Sequence, residues 1–122
     1  VPLVENGELD SPGAEFFIKR DIDALFAKDS AIDTVLLACT HYPLLSPVIQ
    51  KFLPKGVRLI SQGEIVANKT VDYLKRHPEI ENRLQKTGKT DFWTTDTVEF
   101  FEKGAFLFGK KNISAKKLTF SY

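Results

Sequence analysis

Apolar positions recur along this chain in two rhythms, one with helical spacing and one in short continuous runs. Val1–Val4 is a β-prone run that stops at the turn signal Glu5-Asn6-Gly7. Ser11 then offers an N-cap with Pro12 at the first helical position. Ile18, Ile22, Leu25 and Phe26 follow on one helical face, which predicts a helix over Pro12–Lys28. Asp33–Cys39 contains ThrValLeuLeuAla, an apolar run without alternation, which predicts a strand covered on both faces in a parallel sheet. Tyr42 precedes a proline and is biased away from helix. A short helix is expected over Leu44–Phe52, with Pro47 tolerated near its first turn. Pro54-Lys55-Gly56 turns the chain into a third strand, Val57–Ser61.

The later half repeats the alternation. A helix is expected at Glu64–Arg76, ended by His77-Pro78, then a short polar helix over Glu79–Lys86, stopped near Gly88. Asp91–Thr95 reads as a strand. Asp96 with Glu99 resembles a capping box, and Val98, Phe101, Ala105 and Phe108 share one face of the helix that follows. Gly109 stands where a glycine would end it, and Ala115–Phe120 is the last predicted strand. Strands alternating with helices imply an α/β protein with a mainly parallel sheet flanked by helices. The polar stretch His77–Lys89 is the natural place for a hinge or a change of domain.

Composition narrows the function classes. With 43% hydrophobic and 27% charged residues the chain reads as globular, and a net charge of +1 gives no global field toward nucleic acid or a membrane surface. No apolar run approaches the roughly 20 residues of a membrane span. Cys39 is the one cysteine, so an intrachain disulfide is excluded, and a free thiol fits a reducing cytoplasm. With two histidines, His41 and His77, no closed zinc site can be composed by the usual spacing. The chain has no methionine and opens on ValProLeuVal, which reads as a fragment of a longer protein.

In open α/β sheets, ligands bind outside the carboxyl ends of the strands. That rule gathers Glu5, then Cys39, Thr40 and His41, then Ser61, Gln62 and Gly63 on one edge, provided the strands are neighbours. A cysteine there can act as an acid or base, and a nearby imidazolium or helix N-terminus favours its thiolate. His41 lies two residues after Cys39, a spacing that puts both side chains on one side of an extended segment. Glu5 could orient the imidazole. Thr40 and the backbone N–H groups leading into the Leu44 helix could hold a carboxylate. Each residue alone also has a plain reading: Cys39 as apolar filler, His41 as a hydrogen-bonded structural residue, Glu5 as a loop carboxylate and Thr40 as a cap.

The joined string LeuLeuAlaCysThrHisTyrProLeuLeu at 36–45 is more specific, and it resembles the CysThrHisTyrPro segment of glutamate racemases, within the aspartate/glutamate racemase family. ValProLeuValGlu at 1–5 and PheTrpThrThrAsp at 92–96 are similar to further segments of that family. Ala38 departs from it, since glycine is commoner there, but a small residue is kept. The resemblance covers nearly the whole chain and implies the C-terminal half of a racemase with two similar α/β domains. It assigns Cys39 as the second of two catalytic cysteines, Thr40 and His41 as substrate-contacting and acid/base-assisting residues, and Glu5 as a supporting carboxylate. It further implies interconversion of L- and D-glutamate without pyridoxal phosphate or metal, supplying D-glutamate for peptidoglycan and so for cell-wall biogenesis and cell shape. Residues 1–63 would close the second domain. Residues 64–122 would form a connecting helix and a segment that packs on the first domain, with the boundary somewhere in 64–90. The implied partners are glutamate, the missing N-terminal half and a second copy in a homodimer. The fragment alone is expected to be inactive. Two other functions fit the residues: a racemase or isomerase of aspartate or a related acid, and a non-catalytic α/β module that binds a small ligand.

Overall fold

The computed structural model describes residues 1–120. It divides into two compact units, Val1–Asn82 and Arg83–Tyr122. Helix α4 (Gln62–Arg76) and the single turn α5 (Pro78–Glu81), which the sequence reading groups with the later segment, fall in the first unit.

The first unit opens with a correction. Val1–Val4 is not a strand, and the chain instead makes one helical turn, α1 (Pro2–Glu5). Proline is at home at the first helical position. The local bonds Glu5 N–H to Val1 O (3.1 Å) and Asn6 N–H to Pro2 O (3.0 Å) satisfy backbone groups that a strand would need a neighbour to satisfy. β-propensity reports mainly fit to such a neighbour, so it is easily overridden.

Helix α2 (Pro12–Lys28) follows, capped by Ser11, whose Oγ accepts the Ala14 N–H at 3.2 Å. Strands β1 (Thr34–Leu37) and β2 (Arg58–Ser61) pair in parallel, with Thr34 opposite Arg58 and Leu37 opposite Ser61. The crossover between them is a 3₁₀ turn (Tyr42–Leu45) running into α3 (Ser46–Phe52), in which Pro47 sits in the first turn. Val4, Leu37, Leu45, Ile49 and Leu53 form the core, with Ile18, Ile22 and Phe26 of α2 packed against it. The expected burial of β1 on both faces holds for one face only: Leu37 is buried, whereas its neighbour Leu36 is 54% exposed.

The second unit pairs β3 (Phe92–Thr94) with β4 (Ala115–Lys117), also in parallel, and connects them through α6 (Val98–Gly109). Thr97, not Asp96, caps α6 by accepting the Phe100 N–H. The helix runs through Gly109, and Lys110 takes the left-handed cap at φ 52°. Both units are therefore α/β with parallel pairing, as the alternation of elements predicts, although β4 ends three residues before Phe120. Among the described residues, no helix is long and apolar enough to cross a membrane.

Candidate active site

Because β1 and β2 are parallel and in register, their carboxyl ends open on the same edge. There the chain leaves β1 through Ala38–His41 and leaves β2 through Ser61 into α4. Glu5 reaches His41 too, from the last position of the turn α1 rather than from a strand end. Buried Val4 anchors that turn in the core, which fixes where its neighbour Glu5 stands.

The side chains line up around the imidazole. Cys39 Sγ lies 3.9 Å from His41 Nδ1, and Thr40 Oγ1 lies 3.4 Å from the same nitrogen. On the far side of the ring, His41 Nε2 lies 3.4 Å from Glu5 Oε1. Cys39 is half-buried, and the His41 side chain is 22% exposed, so the pair sits at the boundary between core and solvent. A Glu5 carboxylate accepting the Nε2 proton leaves the Nδ1 lone pair directed toward the thiol. That tautomer lets the ring accept the Cys39 proton, with the carboxylate stabilising the imidazolium that forms.

The backbone around the motif is less open than the sequence implies. The Tyr42 N–H donates to Cys39 O and the Leu44 N–H to His41 O, each at 3.2 Å, so these donors are taken up by the 3₁₀ turn. Those two N–H groups are therefore not available to a carboxylate. Ser61 is the N-cap of α4 and makes no side-chain capping bond. The Thr40 contact with the imidazole was not readable from the sequence, where Thr40 looks like a cap or a substrate contact. Only the turn geometry at 40–42 swings its hydroxyl toward Nδ1. Among the described residues, no three His, Cys, Asp or Glu side chains group as metal ligands would.

Known proteins share this arrangement of elements. A glutamate racemase isoform from Bacillus anthracis superposes with a TM-score of 0.79 at 31% identity, over 97% of this chain and 43% of that one. The glutamate racemase of Francisella tularensis, solved in complex with D-glutamate, gives a TM-score of 0.75 at 25% identity, over 98% of this chain and 44% of that one. In sequence, the glutamate racemase of Ruegeria pomeroyi is 34% identical over 114 residues, which is 93% of this chain and 40% of the relative. The chain belongs to the glutamate racemase family. The enzyme of Listeria monocytogenes is 39% identical over 100 residues, 76% of this chain and 37% of that racemase. The chain thus spans well under half the length of the racemases it matches. No family model matches it.

Proposed function

We propose that this chain is the C-terminal half of a cofactor-independent glutamate racemase and carries one of its two proton-transfer faces. The observation that supports this most directly is the line Cys39–His41–Glu5, with the thiol 3.9 Å from one ring nitrogen and the carboxylate 3.4 Å from the other. The chemical problem is removal of a weakly acidic α-proton next to a carboxylate. It calls for a positioned base and for stabilisation of the carbanion that develops. In our reading, His41 takes the Cys39 proton at Nδ1 while Glu5 holds the Nε2 proton. The Cys39 thiolate then removes the α-proton of glutamate from one face. A second thiol, from the half not contained in this chain, delivers a proton to the opposite face, so the overall reaction is inversion with no net change in protons. Thr40 contacts the substrate and His41.

On this proposal the enzyme acts in the cytoplasm as a homodimer, and its D-glutamate enters peptidoglycan. The segment beyond the connecting helix, within 64–122, belongs with the first domain. The 122-residue chain alone does not racemise, because Cys39 is its one thiol and His41 approaches from the same side. The test is solvent deuterium incorporation into L-glutamate and L-aspartate by a full-length racemase carrying this half, beside its Cys39→Ser variant. Incorporation into glutamate that Cys39→Ser abolishes supports the reading. Turnover of aspartate alone moves the substrate to the alternative acid, and no incorporation into either leaves a binding module. Loss of optical activity of L-glutamate with the isolated chain, abolished by Cys39→Ala, would show that one thiol suffices.

A further inference from the structure

Cys39, His41 and Glu5 stand in an order that suits a second kind of chemistry. The thiol is 3.9 Å from His41 Nδ1, and the carboxylate is 3.4 Å from Nε2. Inversion at a carbon needs a further acid on the opposite face, and Cys39 is the one thiol of this chain. Acyl transfer needs nothing from that face. A nucleophile, a base that takes its proton and a third group that orients the base are sufficient, because both proton transfers pass through the same imidazole. Backbone sets the spacing here: the Tyr42 N–H donates to Cys39 O at 3.2 Å, so one turn carries both Cys39 and His41. Solvent reaches the group as well. Cys39 is half-buried, the His41 side chain is 22% exposed and Thr40 is exposed.

From this arrangement we infer that Cys39, His41 and Glu5 hydrolyse activated acyl compounds, namely aryl esters and thioesters of small acyl groups, within this chain alone. Sγ attacks the acyl carbonyl while its proton passes to His41 Nδ1. The bond from the carbonyl carbon to the leaving oxygen or sulfur breaks, and the leaving group takes the proton from the imidazolium. Cys39 is left as a thioester. Water then attacks that thioester and gives a proton to His41. The carbon–sulfur bond breaks, and Cys39 recovers its proton from the imidazolium. The sum is ester plus water to acid plus phenol or thiol. Glu5 is a positioning residue, since by accepting the Nε2 proton it keeps the Nδ1 lone pair toward Sγ. The Thr40 hydroxyl lies 3.4 Å from Nδ1, and once that nitrogen is protonated the hydroxyl can turn its proton to the acyl oxygen as negative charge develops there. The Tyr42 and Leu44 N–H groups are held in the turn, so the stabilisation rests on a neutral hydroxyl. That weak support restricts the reaction to good leaving groups and excludes amides. The inference uses the side chains of the proton-transfer reading but not its reaction.

The probe is p-nitrophenyl acetate. Nitrophenolate release by the 122-residue chain is followed by absorbance, and acid-quenched samples are weighed by mass spectrometry. The expected result is a burst of about one equivalent with an acetyl group on Cys39, followed by continued turnover. Turnover should exceed that of the same chain in urea by about tenfold or more, since unfolding leaves the thiol and imidazole but not their alignment. Cys39→Ala should remove both the burst and the adduct. His41→Gln should keep the adduct but slow its decay by about a hundredfold. Glu5→Gln should slow the decay without changing the size of the burst. Thr40→Val should slow the burst and Thr40→Ser should restore it, a rescue that loss of fold would not show. An acetylated Cys39 that never turns over would overturn the inference, because the thiol would then be reactive without a hydrolytic site. Turnover that survives Cys39→Ala, or an equal rate in urea, would overturn it too. Deuterium exchange by the full-length racemase tests the proton-transfer reading separately: ester turnover without exchange sinks that reading alone, and exchange without ester turnover sinks this inference alone.

Discussion

Val1–Asn82 and Arg83–Tyr122 use the same local plan, a parallel strand pair joined through a helix, but they differ in what the plan encloses. In the first, β1, α2 and α3 converge on Val4, Leu37, Leu45, Ile49 and Leu53. In the second, the one buried residue among those described is Thr94, and Trp93, Phe100, Phe106 and Phe120 are all about half exposed or more. A parallel pair is not itself a source of stability; it needs an apolar layer against it, and a segment of about 40 residues rarely assembles one alone. The second unit is instead tied by polar contacts. Glu102 Oε1 accepts the Ala115 N–H at 2.8 Å, and Lys117 Nζ donates to Thr95 O and Asp96 O, each at 2.7 Å. The candidate site follows the core: Glu5, Cys39, Thr40 and His41 all stand on the unit that can hold side chains still.

The largest effect expected from that difference is catalytic. In a full-length racemase carrying this half, Cys39→Ser should lower deuterium incorporation into glutamate by about a thousandfold or more, since a hydroxyl is a far weaker acid than a thiol. The thermal midpoint should hardly move. Glu5→Gln keeps the shape but not the charge facing His41, and a loss of roughly tenfold in kcat with little change in KM is expected, about 1.4 kcal/mol of transition-state stabilisation. Activity in Glu5→Gln equal to the parent would reduce the 3.4 Å contact to a surface pairing.

Stability should separate the units next. Ile49→Ala empties a site that is 7% exposed at the centre of the core, and a loss of about 2–4 kcal/mol in urea unfolding is expected. The matching truncation in the second unit, Phe106→Ala, removes a ring that is 46% exposed and should shift the same transition by under about 0.5 kcal/mol. Equal losses would mean that the second unit has a core of its own and that the contrast is mistaken.

The two caps offer a finer version of the same test. Ser11 Oγ holds the Ala14 N–H at 3.2 Å, and Thr97 Oγ1 holds the Phe100 N–H at 3.4 Å. Ser11→Ala should cost about 1 kcal/mol of global stability, because α2 packs on the core. Thr97→Ala should speed hydrogen exchange at the start of α6 while leaving the unfolding midpoint of the first unit in place.

Which features the sequence revealed follows the same division. Helix α2 was legible to the residue, because Ser11-Pro12 and the Ile18, Ile22, Phe26 stripe are local signals that agree with the packing. β1 and β2 were legible as apolar runs bounded by turns. Val1–Val4 was misread because its β-propensity matters only beside a strand, while Pro2 and the i−4 bonds decide locally for helix. The meeting of Cys39 and His41 followed from their spacing, and the edge rule brought Glu5 near them even though the element carrying it was wrong. The exposure of Leu36 was not readable, because an apolar run says that a strand can be covered, not that these residues cover it.

The smallest expected effect concerns what joins α2 to α3 across the first unit. Lys51 Nζ lies 2.7 Å from Glu15 Oε1, with side chains 56% and 39% exposed. The pair links residues far apart in sequence, and on that ground alone it looks like a clasp. Water and salt screen such exposed charges, however, and ordering two long side chains costs entropy that offsets much of the attraction. The helices already meet through Ile22, Phe26 and Ile49 around the core, so the ion pair forms on geometry that apolar packing has set. A double-mutant cycle with Lys51→Ala and Glu15→Ala should therefore give a coupling under about 0.5 kcal/mol that shrinks further at high salt. A coupling above about 1 kcal/mol that survives high salt would place part of the first unit's stability in polar side-chain contacts, as in the second unit, and would narrow the difference between the two units.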